Sequence, residues 1–142
     1  MAAAGLVTFT NSARTYLLNG TLNPGTDNYN IALFTSASNL GSGSTTYATL
    51  TGEVANGNGY ATGGKAITIS LSGTTTVTVT ASTPVSWVAA GGSIQAYYAA
   101  VYKVNGAILF YFTLKSPAGN IDVTDTNTLA ITADAAGFFT LS

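Results

Sequence analysis

The segment YYAAVYKVNGAILFYFTL, residues 97–114, decides the fold of this chain. At its centre lies Asn105-Gly106, the preferred pair for a two-residue type I′ turn, because both central positions of that turn need a positive φ angle. A turn at this point places Val101 opposite Phe110 and joins the two halves as antiparallel strands. We therefore predict a long β-hairpin at the heart of a β protein.

The predicted register sorts the hairpin side chains onto two faces. It also places Lys103 opposite Ile108 and Tyr102 opposite Leu109, because successive side chains on a strand point to opposite faces. The face predicted to be the core carries Tyr97, Ala99, Val101, Ile108, Phe110, Phe112 and Leu114. The other face carries Tyr98, Ala100, Tyr102, Leu109 and Tyr111. Tyrosine is enriched at interfaces, so we expect this second face to be covered, either by the chain itself or by another subunit.

Further short runs bounded by turn residues predict strands on both sides of the hairpin. They lie at residues 30–35, 65–71, 75–80, 84–88, 128–132 and 138–141. Many short strands at this spacing indicate an all-β fold, and we predict an antiparallel β-sandwich or jelly-roll-like arrangement of about eight strands. The length of the chain fits a single domain, residues 1–142.

The first 28 residues are predicted to hold one short helix. Asn11 or Ser12 can cap a helical segment at residues 13–18, and Asn19-Gly20 can end it. We expect this helix to plug one end of the sandwich.

Residues 36–64, called the arm below, have a different composition. Glycine, serine, threonine and asparagine dominate them, which is typical of a loop, yet Tyr47, Leu50, Val54 and Tyr60 interrupt the polar residues. Long loops are usually functional or disordered. The interleaved apolar side chains favour an ordered arm that packs on its own sheet or on a neighbouring subunit.

The amino-acid composition argues against a catalytic triad, a nucleic-acid-binding surface and a phosphate-binding loop. The chain has no His and no Cys, with four basic and five acidic residues, so a Ser-His-Asp triad is excluded. Four scattered basic residues cannot neutralise a phosphate backbone, so we expect no nucleic-acid partner. Gly63-Gly64-Lys65 lacks the full spacing of a phosphate-binding loop.

The five carboxylates also give no strong site. Asp122 and Asp125 are close enough to suggest a Ca²⁺ loop but lack its full spacing, and Asp residues before a strand more often cap turns. Nothing local marks an acid and a base among the five, Asp27, Glu53, Asp122, Asp125 and Asp134, as a paired-carboxylate glycosidase requires. We therefore expect no enzymatic activity, metal or cofactor.

The net charge bears on whether copies of the chain associate, and the N-terminal sequence bears on where in the cell the chain is made. A net charge of −1 provides little repulsion between copies, so we expect a homo-oligomer. Residues 1–10 lack the basic start of a signal peptide, and no apolar stretch is long enough to span a membrane. We expect synthesis in the cytoplasm and no membrane partner. A β sequence that is rich in Thr, Ser, Asn and Gly, poor in Lys and free of Cys is nevertheless typical of outward-facing proteins, and a virus particle satisfies both expectations.

Several motifs resemble small structural proteins of tailed bacteriophages. They are Ile31-Ala-Leu-Phe-Thr-Ser36, Thr46-Tyr47, Leu50-Thr-Gly-Glu-Val54, Gly57-Asn-Gly-Tyr-Ala-Thr-Gly-Gly64, Trp87, Tyr98-Ala-Ala-Val-Tyr102 and Ala136-Gly-Phe-Phe-Thr-Leu141. The resemblance covers roughly residues 29–141.

The resemblance implies a virion location and a capsid decoration (cement) protein that bridges capsomers. It further implies the major capsid protein as partner and a homo-oligomer, most simply a trimer. The candidate interface residues are Tyr98, Tyr102, Leu109, Tyr111, Tyr47 and Tyr60. A tail, fibre or baseplate component remains an alternative.

A carbohydrate-binding module of a receptor-binding structure is a second alternative. It would stack a sugar on Trp87 or on an exposed tyrosine, whereas Val85 and Val88 around Trp87 favour a core position for that residue.

Overall fold

The computed structural model describes residues 2–3, 7–115, 117–133 and 137–142. Within these ranges most of the regular structure is β-strand, which confirms the predicted all-β fold class. The strands are β1 (Ala2–Ala3), β2 (Thr8–Phe9), β3 (Tyr29–Phe34), β4 (Lys65–Ile67), β5 (Ile69–Ser72), β6 (Val77–Ala81), β7 (Val85–Val88), β8 (Ile94–Ala96), β9 (Tyr98–Lys103), β10 (Ile108–Thr113), β11 (Ile121–Val123), β12 (Thr128–Thr132) and β13 (Phe139–Leu141). One α-helix, α1 (Asn11–Leu18), and one 3₁₀ turn (Tyr47–Thr49) complete the described structure.

The strands form four small sheets. A five-stranded sheet, the main sheet, has the order β2-β10-β9-β3-β4, and the others are β1-β12-β7, β13-β6-β5 and β11-β8. All described pairings are antiparallel except that of β1 with β12. The strands outnumber the eight predicted, partly because residues 65–71 are two strands: the chain leaves the main sheet at Thr68 and enters the sheet β13-β6-β5. The jelly-roll variant stays a prediction.

The core lies between the main sheet and the three smaller ones. The inner face of the main sheet contributes Ile31, Leu33, Val101, Phe110 and Phe112, all almost fully buried. Trp87 on β7 and Leu129 on β12 oppose them from the other layer. Trp87 is 1% exposed, which confirms the prediction of a core tryptophan.

The helix ends at Leu18, as predicted, and begins at Asn11, two residues earlier than predicted. Thr10, rather than Asn11 or Ser12, is the N-cap, and its hydroxyl accepts a hydrogen bond from the Ala13 amide at 3.2 Å. Gly20 has a φ of 80°, the left-handed conformation expected just after a helix. Tyr16 and Leu17 pack against the core, as predicted for a plug. Within the described ranges, no helix has the length and apolar character needed to cross a membrane.

The hairpin forms, but its predicted turn is wrong. Only Asn105 has a positive φ, 58°, whereas a type I′ turn needs two such residues. The Lys103 carbonyl accepts from the Gly106 amide at 2.8 Å, and the Lys103 amide donates to the Ala107 carbonyl at 2.9 Å. The connection therefore contains three residues instead of two.

A β-bulge between Ile108 and Phe110 compensates for the longer turn. Ile108 pairs with Tyr102, and the predicted register is correct from the pair Val101–Phe110 onward. The predicted pairs Lys103–Ile108 and Tyr102–Leu109 are wrong. As a result Leu109 turns into the core, and Ile108 turns to the opposite face.

Candidate functional site

The outer face of the main sheet is covered by the chain's own arm. Ala32 on β3 lies opposite Ala100 on β9, and both are fully buried. These small side chains leave room for Leu40, which packs in the same apolar cluster, with Tyr47 and Leu50 beside it. Of the two possibilities left open by the sequence, coverage by the chain itself is the one observed.

The arm is joined to the edge of β3 by backbone hydrogen bonds. The Thr35 amide donates to the Gly52 carbonyl at 2.8 Å, and the Val54 amide donates to the Leu33 carbonyl at 2.9 Å. β4 pairs only with the first half of β3, so the second half of that edge is open to the arm. Residues 52–54 therefore extend the main sheet by a short strand-like segment.

Glu53 lies at the centre of a hydrogen-bond network that holds the arm. Its Oε2 accepts from the Tyr47 hydroxyl at 2.6 Å. Its Oε1 accepts from the Tyr60 hydroxyl at 2.7 Å and from the Gly63 amide at 2.6 Å. Three donors, one from Tyr47 and two from residues 60–63, converge on one carboxylate. We call these four residues the Glu53 network.

Three further contacts tie this network to the main sheet. The Tyr60 hydroxyl accepts from the Leu33 amide at 3.0 Å while it donates to Glu53. Tyr102 on β9 donates to the Gly63 carbonyl at 2.7 Å, and its ring stacks on Tyr47 with centroids 4.3 Å apart and planes 8° apart. The network is thus continuous from β9 through the arm to β3.

Burial and the Glu53 hydrogen bonds favour the protonated form of the two phenols. Burial is the larger cause and raises the pKa of both Tyr47 and Tyr60 well above its usual value, and hydrogen bonding to Glu53 raises each further. Both hydroxyls therefore remain donors at neutral pH. All three of these donors to the Glu53 carboxylate come from the chain itself.

The predicted interface residues separate into two groups in the structure. Tyr60 and Leu109 are 3% and 0% exposed and lie in the main core, which leaves them no surface for a partner. Tyr102 is also buried, beneath Tyr47. The half-buried members, Tyr47, Tyr98 and Tyr111, lie on the outer face.

Tyr98 and Tyr111 form the rim of that outer face. Their rings pack edge to face, with centroids 6.3 Å apart and planes 74° apart. Burial is the larger cause of a raised Tyr111 pKa, and the neighbouring Tyr98 adds to it. Tyr98 and Tyr111 are predicted interface residues whose side chains stay partly exposed to solvent, because the arm does not fully cover them.

Asp27, Asp122 and Asp125 are not part of the Glu53 network. Asp125 accepts from the Gly91 and Thr126 amides at 2.9 and 3.0 Å, as expected for a turn-capping residue. Asp122 is exposed on β11, and Asp27 pairs with Lys103 at 3.0 Å. Asp134 lies outside the described residues. In the part of the chain that the structure describes, no three His, Cys, Asp or Glu side chains form a group that could hold a metal ion.

Sequence reasoning gave Glu53 no structural role. One signal was available: Glu53 is the only charged residue between Asp27 and Lys65. A lone charge in a long uncharged segment with tyrosines on both sides indicates a specific partner. Comparison with known proteins adds no assignment, because no family model, curated protein or solved structure matches this chain.

Proposed function

We propose that this protein is a structural component of a tailed-phage virion and serves as a capsid decoration protein. The observation that carries the proposal is the Glu53 network. It uses the arm's only carboxylate to hold the arm on the sheet, in a chain that has few other charges. Such a domain is suited to act as a stiff part rather than as a catalyst.

The covered main sheet supports a mechanical role. Its inner face packs in the core and its outer face packs under the arm, so a shear force on the surface acts on a sheet held from both sides. Interiors packed at crystal-like density deform little. A stiff domain of this kind can bridge two capsid subunits without yielding to internal pressure.

The contact with the major capsid protein is proposed to be apolar and aromatic, with Tyr98 and Tyr111 at its centre. Both are half-buried, and tyrosine contributes large contact area with a hydroxyl that tolerates water. Burial of apolar surface contributes about 25 cal/mol per Å² and depends little on salt, unlike contacts between exposed charges. Binding to the capsid is therefore expected to persist at high ionic strength.

Rebinding to particles assembled without the protein tests this proposal. The expected result is saturable co-sedimentation at many copies per particle, with little change when salt is raised. A Tyr98→Ala variant should bind more weakly, whereas Leu18→Ala, an exposed apolar residue on α1, should bind like the wild type. Absence of binding, or binding at only a few sites, would contradict a decoration role, and binding at a few sites would favour a tail position.

Glycan binding is retained as a second candidate because of one cleft. Asn30, Thr46, Tyr47 and Asn105 line an open cleft of about 530 Å³ next to the Tyr47–Tyr102 stack. Neutral amide and hydroxyl groups beside an aromatic ring suit a neutral sugar. The buried Trp87 cannot form the platform, so a glycan array with a Tyr47→Ala variant is the appropriate test.

A further inference from the structure

One strand edge, that of β5 (Ile69–Ser72), carries no lysine, proline or bulge of its own that would block pairing. β5 is the outer strand of the sheet β13-β6-β5, and among the described residues it pairs only with β6. No other backbone hydrogen bond of the described residues reaches Ile69–Ser72. Bare strand edges recruit further strands, and proteins usually blunt them with lysine, proline, a bulge or a covering loop.

The strand itself carries no charge, because no charged residue lies between Lys65 and Lys103. β5 and its neighbour β6 both fall in that uncharged segment. The two strands alternate apolar residues with serine or threonine and contain no proline, and uncharged strands of this kind associate readily.

The edge of β7 shows how the same chain covers a strand elsewhere. The Lys65 ammonium donates to the Ser86 carbonyl at 2.6 Å, and the Asn58 carbonyl accepts from the Ala90 amide at 3.1 Å. A lysine and the arm therefore occupy the side of β7 that faces away from β12. β5 has no equivalent cover among the described residues.

Side chains on this sheet alternate between an apolar and a hydroxyl face. Ser70 pairs with Thr80, and Ser72 pairs with Thr78, which also pairs with Thr140. The opposite face carries Ile69, Leu71, Val77, Val79, Ala81, Phe139 and Leu141. Leu71 extends beyond the core: it lies against Gly25 on one side, yet 47% of its surface is exposed.

We propose that β5 is a homotypic interface, at which two copies of this chain pair their β5 strands antiparallel across a two-fold axis. With Leu71 opposite Leu71 of the partner subunit, Ser70 lies opposite Ser72 of the partner subunit. Leucine then meets leucine on one face and serine meets serine on the other. The two sheets become one six-stranded sheet, and the exposed leucines become buried.

A second copy fits this edge better than an unrelated peptide for two reasons. Apolar and polar side chains alternate along β5. When two copies of such a strand pair antiparallel about a two-fold axis at one residue, apolar side chains lie opposite apolar ones and polar opposite polar, so β5 is complementary to itself. A net charge of −1 on each copy adds little repulsion. The contact predicts a dimer in solution in place of the trimer that the sequence resemblance implies, and it does not depend on the virion role.

Sedimentation equilibrium of the purified full chain tests the interface. The wild type is expected to be a reversible dimer, and Leu71→Lys is expected to weaken dimerisation at least about tenfold, because it places two ammonium groups at the axis. Leu18→Lys is the matched control: Leu18 is 91% exposed and lies on α1 rather than on a strand, and its variant should dimerise like the wild type. A monomeric wild type, or a trimer unaffected by Leu71→Lys, would overturn the proposal.

Hydrogen exchange on the wild type provides a second test that does not require a variant to fold. The outward amides of Ile69–Ser72 should become more protected as protein concentration rises through the dimerisation range. Amides of β7, whose edge is already covered, should not change. Protection at β5 that is independent of concentration would contradict a contact between copies, whatever the outcome of particle binding.

Discussion

Removing the Glu53 carboxylate tests whether the Glu53 network holds the arm. Glu53→Ala leaves the Tyr47 and Tyr60 hydroxyls and the Gly63 amide without their acceptor. A hydrogen bond to a charged group contributes about 1.5–3 kcal/mol to stability. Glu53 is only half-buried, and nearby solvent weakens its interactions, so each of its three hydrogen bonds contributes an amount at or below the low end of that range. We therefore expect Glu53→Ala to reduce the free energy of unfolding by about 3 kcal/mol.

Glu53→Gln separates the charge from the shape of the side chain. The amide retains one acceptor oxygen and similar volume, but its nitrogen can only donate. Neutral hydrogen bonds are about half as strong as charge-assisted ones, so a loss of about 1–1.5 kcal/mol is expected. The order of stability should be wild type, then Glu53→Gln, then Glu53→Ala.

Urea denaturation followed by tryptophan fluorescence measures these differences. Trp87 is the only tryptophan and is 1% exposed, so its emission reports loss of the core. Asp122→Asn is the matched control, because it removes one carboxylate from an exposed position on β11 and should change stability by less than about 0.5 kcal/mol. If Glu53→Ala unfolds at the same urea concentration as this control, the network does not stabilise the arm and the reasoning is refuted.

Three other predictions concern local features of the fold. Gly64 has a φ of 71°, and a Cβ there would collide with a strand carbonyl. Gly64→Ala should therefore lower the free energy of unfolding by about 3 kcal/mol or more. Gly43 lies at an open position, so Gly43→Ala should be nearly neutral when the two variants are compared by thermal unfolding. Thr10→Ala removes the helix cap and should cost about 1 kcal/mol in urea denaturation, and an unchanged midpoint would contradict the cap. The raised pKa values of Tyr47 and Tyr60 mean that the folded state holds their protons more tightly than the unfolded state does. The contribution of these two protonated phenols to the free energy of unfolding is therefore present below about pH 10 and is lost as the pH rises above it. Phenolate absorbance should show these tyrosines ionising only on alkaline unfolding, and ionisation of all eight near pH 10 without loss of structure would contradict this.

The all-β class, the helix and the paired strands of the hairpin follow from local sequence, because alternation and capping act over a few residues. The turn could not be predicted in this way. The Ile108 amide donates to the Thr45 carbonyl at 3.0 Å, and the Tyr47 amide donates to the Gly106 carbonyl at 3.3 Å. These arm contacts stabilise a longer turn than the local Asn-Gly pair favours. The bulge that follows exchanges the faces of Ile108 and Leu109.

The Glu53 network was beyond local reasoning for a similar reason. Tyr102 and Gly63 are 39 residues apart in sequence, and their hydrogen bond depends on where the arm settles on the sheet. The sequence indicated that the arm is ordered, because apolar residues interrupt its polar composition. Which tyrosines would face solvent and which would donate to Glu53 depends on the packing of the whole arm.

Cryo-electron microscopy of particles saturated with the protein tests the central claim most directly. A decoration role predicts density on the outer capsid surface at regularly repeated positions between capsomers, with the rim that contains Tyr98 and Tyr111 against the shell. Density restricted to the tail, or no density on the particle, would contradict the capsid decoration role proposed here.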